Sequence, residues 1–296
     1  MMPLEEYNKP AHLPSMNREI QNRSHGLAFI DLDDTLLGPD KKISSDNLSA
    51  LERLRAAGVL VTIASGRHHN NITALKQIGH QGWILSSHGS VVRNEQTGEV
   101  LAEMSLNPAL VSHLRERARE YGVSVIAYHR NGAYAEHGSE WIDLYAREAG
   151  WKPTIASFDT LAPDQFQKIL WSDHPDRINQ LAPVLKAELS DRLNIMVTNP
   201  ELLEFFAPTA NKAVGAQALT GMLGIASEQT LAFGDGNNDV ELLRWAGFSV
   251  AMHHGRETAR QAARFVTPPG PPESAFARAV DLAFESGRFD AVSLAR

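Results

Sequence analysis

LAFIDLDDTLL, residues 27–37, is the stretch on which the fold turns. It opens as a short apolar run that fits a buried strand, and two carboxylates, Asp31 and Asp33, follow as the run ends. Residues two apart along a strand share a face, so these two side chains can point toward one region. The carboxyl ends of parallel strands are where open α/β sheets place their sites.

Working outward, strand-like and helix-like segments alternate, as in a largely parallel sheet covered by helices. Ser44 or Ser45 can cap a helix through Ala57, with Leu48, Leu51 and Leu54 on one face and Gly58 as the stop. Residues 59–64 (VLVTIA) read as a strand, 68–78 as a helix and 83–86 as a strand. The pattern then changes. Helices are expected over 107–121, 140–149 and 175–189, and strands over 123–128, 166–171 and 194–198. Trp141, Leu144 and Tyr145 form an apolar stripe on the second of these helices. From 211 the first style resumes, with helices over 211–223 and 239–246 and strands over 230–234 and 248–252. A domain split in sequence explains this: a core from 26–89 and 204–296, with a second domain over 90–203 inserted between its halves. Residues 1–25, polar and with three prolines, are expected to form a loose tail, within which Met16 is an alternative start.

Composition narrows the classes. Among 296 residues, 43% are hydrophobic and 21% charged, ordinary for a globular protein. No apolar run approaches the ~20 residues that span a bilayer, and the first residues lack the apolar segment of a secretory signal. Cysteine is absent, which excludes disulfides, thiolate metal sites and cysteine nucleophiles, and fits a cytoplasmic protein. A formal charge of −7 argues against a general nucleic-acid surface. A small metabolite is the expected partner, with no nucleic acid and no membrane; the oligomeric state is left open.

The chemistry resides in a second acidic stretch as well. GDGNND, residues 234–239, follows a strand and precedes a helix, bringing Asp235 and Asp239 to another strand end. Either stretch alone reads as a turn or helix cap. Together, some two hundred residues apart and each after a buried strand, they read as one site. Like charges at such range raise one another's pKa or demand a cation, and an all-oxygen cluster selects a hard ion such as Mg²⁺. Phosphoryl transfer suits that arrangement, because the metal offsets repulsion between an anionic nucleophile and an anionic ester. Ser65-Gly66-Arg67 follows the second strand, where a hydroxyl and backbone N–H groups can hold a phosphoryl oxygen. Lys212 opens a helix and can neutralise nucleophile and phosphate.

In this order, DLDDTLL, ASGR, NKAVGAQAL and GDGNNDVELL followed by AGFSVAM resemble the haloacid dehalogenase superfamily, and in particular its Cof-like phosphatases with a C2-type cap, subfamily IIB. The resemblance covers residues 27–87 and about 203–267. It implies a Rossmann-like parallel-sheet core with helices on both faces and an inserted α+β cap. It implies that Asp31 attacks phosphorus to form an aspartyl-phosphate, while Asp33 protonates the leaving oxygen and then activates water. The Asp31 and Asp235 side chains and the Asp33 carbonyl would bind Mg²⁺, with Asp239 in support; Ser65, Gly66 and Lys212 would contact the phosphoryl group and Asn238 would help hold the site. Sugar phosphates and phosphorylated cofactors such as FMN or PLP are the substrates implied. The chain departs from the family pattern at Asp34, where glycine is usual, at Ser65 for threonine, at His88-Gly89-Ser90 for Asn-Gly-Ala, at His253-His254-Gly255 for Gly-Asn-Ala, and at PPGPPES over 268–274.

Three other functions compete. Gly234-Asp235-Gly236 opens a helix as a dinucleotide fingerprint does, but Asp239 stands where the third glycine belongs, and two carboxylates would repel a pyrophosphate that lacks a metal. A phosphomutase would share all these motifs, and a regulatory protein with a relic site would not need all of them. The paired histidines 68–69 and 253–254 invite a metal, yet adjacent histidines seldom face one ion. His254 is a better rim contact, and Tyr128, His129 and Arg130 are candidates to reach substrate from a strand end.

Overall fold

The computed structural model describes residues 26–287, so the expected tail over 1–25 and Met16 lie outside the described residues. Two sheets form among them. The first has eight strands in the spatial order Phe265–Val266, Phe248–Ala251, Thr230–Gly234, Gly26–Ile30, Val59–Ala64, Trp83–Ser86, Val91–Asn94 and Val100–Glu103. Its pairings are parallel as far as Trp83–Ser86, and the last two strands fold back antiparallel. Gly26–Ile30 lies at the centre with every residue buried. Leu27 and Phe29 face the helices Lys212–Leu223 and Val240–Trp245, while Ala28 and Ile30 face Ser45–Ala56 and Ala275–Glu285. Helices on both faces leave no solvent side, which is why this strand carries no alternating polar residue.

The second sheet runs Asn194–Val197, Leu202–Phe206, Phe166–Ser172, Ser124–His129, Gly132–Ala135, Thr154–Ile155 and is antiparallel except at its last pair. One face is covered by Pro108–Tyr121 and Pro175–Leu189, whose Leu114, Ile178 and Leu185 pack on Trp171 and Phe205. The other carries Glu140–Ala149. That helix buries Ile142 and Tyr145, not the full Trp141/Leu144/Tyr145 stripe; Trp141 is half-buried beside His174.

Caps set the helix ends as the side chains allow. Ser44, Ser139 and Asn211 each accept a backbone N–H three residues on, and Gly224 closes Lys212–Leu223 in the left-handed region. The helix expected over 68–78 is broken into a 3₁₀ turn, His69–Asn71, and a short helix, Ala74–Gln77. The His68 ring accepts the Asn70 N–H, a local bond that competes with helix propagation, and the β-branched Ile72 and Thr73 follow. Strand pairing also draws its own division: residues 91–103 hydrogen-bond within the first sheet and 202–206 within the second, whereas the pattern change in sequence falls at 89/90 and 203/204.

Candidate active site

Asp31 ends its strand with its N–H donated to the Phe233 carbonyl at 2.9 Å, and the residue is 5% exposed. The neighbouring strand, Thr230–Gly234, ends alongside it and turns into Asp235–Asp239. Oxygens of Asp31, Asp235 and Asp239 lie within 4.8 Å of one another. Lys212, at the first position of its helix and fully buried, donates to Asp31 Oδ1 and, at 2.6 Å, to Asp239 Oδ1. The Asp239 Oδ2 accepts the N–H groups of Asp235 (3.0 Å) and Gly236 (2.9 Å), closing the turn. Gly234 is needed there, because a Cβ would sit 2.5 Å from the Asp239 carboxyl carbon. Thr35 donates to Asp235 Oδ1 at 3.0 Å.

Electrostatics follow from this crowding. Burial, then repulsion from Asp239 and Asp235, pushes Asp31 well above the usual carboxylate range against the pull of Lys212. Burial and Asp239 push Asp235 up to about 7, with the Thr35 hydrogen bond opposing. Burial disfavours the charge on Lys212, but Asp239 and Asp31 more than offset it and hold the ammonium charged. Three crowded carboxylates with one ammonium leave a net negative, all-oxygen pocket, a donor set that fits a hard divalent ion.

Asp33 stands apart from that trio. Arg67 grips its carboxylate with both ends, Nε to Oδ2 at 2.8 Å and Nη2 to Oδ1 at 2.7 Å, and Lys41 lies 3.3 Å away. Burial raises its pKa, but Arg67 and Lys41 outweigh that and hold it below the usual range, so Asp33 is ionised here. Arg67 Nη1 also reaches the Ala149 carbonyl at the end of Glu140–Ala149. Asp34 has φ +57, which explains the usual glycine at this position and the tolerance of Asp for it.

The Ser65 hydroxyl accepts the Arg67 N–H at 3.1 Å, so in this conformation it braces its own loop. Gly66 lies directly under the His88 ring, where a Cβ would meet Cε1 at 2.5 Å. Asn238 places its amide nitrogen 3.2 Å from His88 Nδ1. Gly66, His88 and Asn238 border a cavity of about 240 Å³ between the carboxyl ends of the first sheet and the Glu140–Ala149 face of the second, where Tyr128, Lys168, Leu170 and Glu204 line it.

Of the other candidates, Tyr128 lines the cavity with its hydroxyl bonded to that of Tyr145 at 2.6 Å. His129 bonds the Ala162 carbonyl and Arg130 pairs with Glu103 at 2.7 Å, away from it. His68 and His69 stack on each other with no carboxylate in their bonds, and His254 reaches the Asp34 carbonyl at the rim. Lys168 and Glu204, both buried against His88, belong to no motif of the sequence. The available signal was a charge inside an apolar strand, FQKILWS and LLEFF.

The fold and this constellation match a known class. The family model for haloacid dehalogenase-like hydrolases matches residues 28–277, and the chain belongs to that family. Its relatives carry phosphatase names, and the chain is a phosphatase of that family. A candidate phosphatase of Streptococcus pyogenes is 25% identical over 249 residues, covering 81% of this chain and 92% of that protein. An HMP-PP phosphatase of Citrobacter koseri is 26% identical over 227 residues, covering 76% and 83%. The crystal structure of a haloacid dehalogenase-like hydrolase from Bacteroides thetaiotaomicron superposes with a TM-score of 0.78 at 27% identity, over 88% of this chain and 99% of that one.

Proposed function

We propose that this phosphatase is Mg²⁺-dependent and hydrolyses small phosphate monoesters through a phosphoryl group carried on Asp31. The observation that carries the reading is the convergence of Asp31, Asp235 and Asp239, the first and last of them held by the buried Lys212. The Asp31 and Asp235 carboxylates and the Asp33 carbonyl would hold the ion, with Asp239 in support. Bound there, Mg²⁺ supplies charge that offsets repulsion between carboxylate and phosphate and stabilises the equatorial oxygens.

Asp31 attacks phosphorus, the bond from phosphorus to the ester oxygen breaks, and the leaving oxygen takes a proton from Asp33. Water then gives a proton back to Asp33 and attacks the same phosphorus, releasing inorganic phosphate and restoring the Asp31 carboxylate. The donor role requires Asp33 protonated, whereas Arg67 stabilises it ionised. Loosening the Arg67 grip is therefore part of loading the acid. Lys212, Asn238, the Ser65 hydroxyl and the Gly66 N–H would face the phosphoryl oxygens. The second sheet with its helices acts as the cap, and Arg67, bonded to Asp33 and to Ala149, spans the two. A cavity of about 240 Å³ suits a small leaving group, of the size of a sugar or a single ring.

Hydrolysis of p-nitrophenyl phosphate, with Mg²⁺ added and then chelated, is the test. Turnover should require the ion and disappear in Asp31→Asn. A D31N protein that turns over at the wild-type rate overturns the nucleophile assignment. A screen of phosphorylated metabolites ranked by kcat/KM would then name the substrate.

A further inference from the structure

His88 is among the most constrained side chains of the cavity, and the chemistry above leaves it without a task. Its backbone sits at φ +59 directly after Ser87 at φ +49, two successive residues in a region that side chains disfavour. The chain holds this shape through Ser87 N–H to the Arg67 carbonyl (2.8 Å) and His88 N–H to the Ser65 carbonyl (3.1 Å). The ring is 3% exposed, lies flat on Gly66 and stacks on Phe206 of the second sheet at 4.9 Å.

Both ring nitrogens are engaged, each by a different half of the molecule. Nε2 lies 2.5 Å from Glu204 Oε2, on the second sheet. Nδ1 lies 3.2 Å from the Asn238 amide nitrogen, in the 234–239 turn of the first. A carboxylate accepts and an amide nitrogen donates, which puts the ring proton on Nε2 of a neutral ring; the Lys168 ammonium, 3.3 Å from the same Nε2, then stands beside it as a charge and not as a donor. Lys168 supports that state: its ammonium bonds Glu204 Oε2 at 2.7 Å and the Gly66 carbonyl at 2.9 Å, and its charge beside the ring opposes protonation. Burying an ammonium and a carboxylate side by side is expensive for folding alone, and apolar residues of similar volume often serve a fold as well.

We propose that His88 is a positioning residue of the phosphatase site: Glu204 of the second sheet fixes its ring, and its Nδ1 fixes the Asn238 side chain in the turn that carries Asp235 and Asp239. The turn is thereby aligned only when the second sheet is seated. Asn238 alone can rotate its amide freely; with the ring in place it presents one face to the cavity. This inference rests on the phosphatase reading, and it concerns the phosphate end of the site instead of the leaving group.

The test uses p-nitrophenyl phosphate, which makes few demands on the cap, with Mg²⁺ saturating and thermal melting in parallel. His88→Gln keeps an N–H for Glu204 but removes the Nδ1 contact; His88→Asn keeps a polar atom near Nδ1 and suits the left-handed backbone. H88Q should lower kcat about 10- to 100-fold, as loss of a group that orients a metal-site residue does, with KM changed less than about threefold. H88N should retain more of kcat than H88Q. In an Asn238→Ala background, H88Q should cost less than about twofold more, because its route is already cut. Three results overturn the proposal: H88Q at the wild-type kcat, H88N falling as far as H88Q, or the H88Q and N238A losses multiplying. Should H88Q show no folded transition, H88N decides: a kcat loss smaller than that of N238A supports the proposal, and one as large overturns it. No turnover by the wild-type protein would instead strike the phosphatase reading itself.

Discussion

Lys212 and Asp31, 181 positions apart in the chain, share a buried hydrogen bond at the floor of the cavity, and the same ammonium holds Asp239. This single cation ties the strand carrying the proposed nucleophile to the turn carrying the other carboxylates. Removing it leaves buried negative charges uncompensated, and a broken buried pair is strongly destabilising. Lys212→Met should therefore lose about 3 kcal/mol of stability or more without Mg²⁺. It should also lower kcat at least ~100-fold, the scale of a lost transition-state donor. Urea unfolding and p-nitrophenyl phosphate kinetics measure the two. A stable, active K212M would mean the pair serves neither purpose.

The acidic trio sets a second expectation. An ion that binds only the folded state stabilises it by mass action, about 2.7 kcal/mol at a hundred times its Kd. Mg²⁺ should raise the melting temperature of the wild-type protein, and Asp235→Asn should abolish the rise, since among the described residues Thr35 is the side-chain donor that holds the Asp235 carboxylate, which leaves oxygen lone pairs for the ion. An equal Mg²⁺-dependent rise in D235N would place the ion elsewhere.

In the proposed mechanism Asp33 acts on two steps, and its loss should separate them. p-Nitrophenolate leaves without a proton, whereas an alkoxide does not. Asp33→Asn should thus give a burst of p-nitrophenolate near one per enzyme, then turnover slowed by roughly 100-fold or more as hydrolysis of phospho-Asp31 becomes limiting. An alkyl phosphate should show no burst. Equal slowing of both esters, without a burst, would remove Asp33 from leaving-group chemistry.

His68 and His69 are buried and stacked, and burial holds them to about 3 and about 4. Unfolded, each returns to about 6.5, so between these values the unfolded chain binds more protons and stability rises with pH. The contribution is complete above 6.5 and is lost as the pH falls toward the folded values. At pH 5 each should have lost about 2 kcal/mol. Denaturant unfolding at pH 7 and pH 5 should show His69→Asn losing about 2 kcal/mol less than wild type over that interval. Identical losses in the two proteins would show that these rings titrate freely.

Much of this was legible in the amino-acid sequence for a physical reason. A strand buried on both faces must be apolar throughout, so LAFI and TLAF announce themselves, and the acidic residues that follow mark the strand ends where a parallel sheet builds its site. The helix cap at Ser44 was equally visible, being local chemistry. What stayed hidden depends on distant partners. Residues 91–103 join the first sheet by pairing with 83–86, a choice that no local pattern encodes. The break in 68–78 comes from a histidine ring turned inward to the Asn70 N–H and the His129 carbonyl.

The residue types and spacing of 27–37, 65–67, 212 and 234–239 by themselves determined the family and the set of charged groups available for chemistry. Only the tertiary structure decided how those charges are spent: Asp33 on Arg67, Asp239 on Lys212 and its own turn, and His88 between Glu204 and Asn238. A carboxylate's role depends on which donors and charges lie within a few ångströms, and chain folding, not sequence proximity, brings them there.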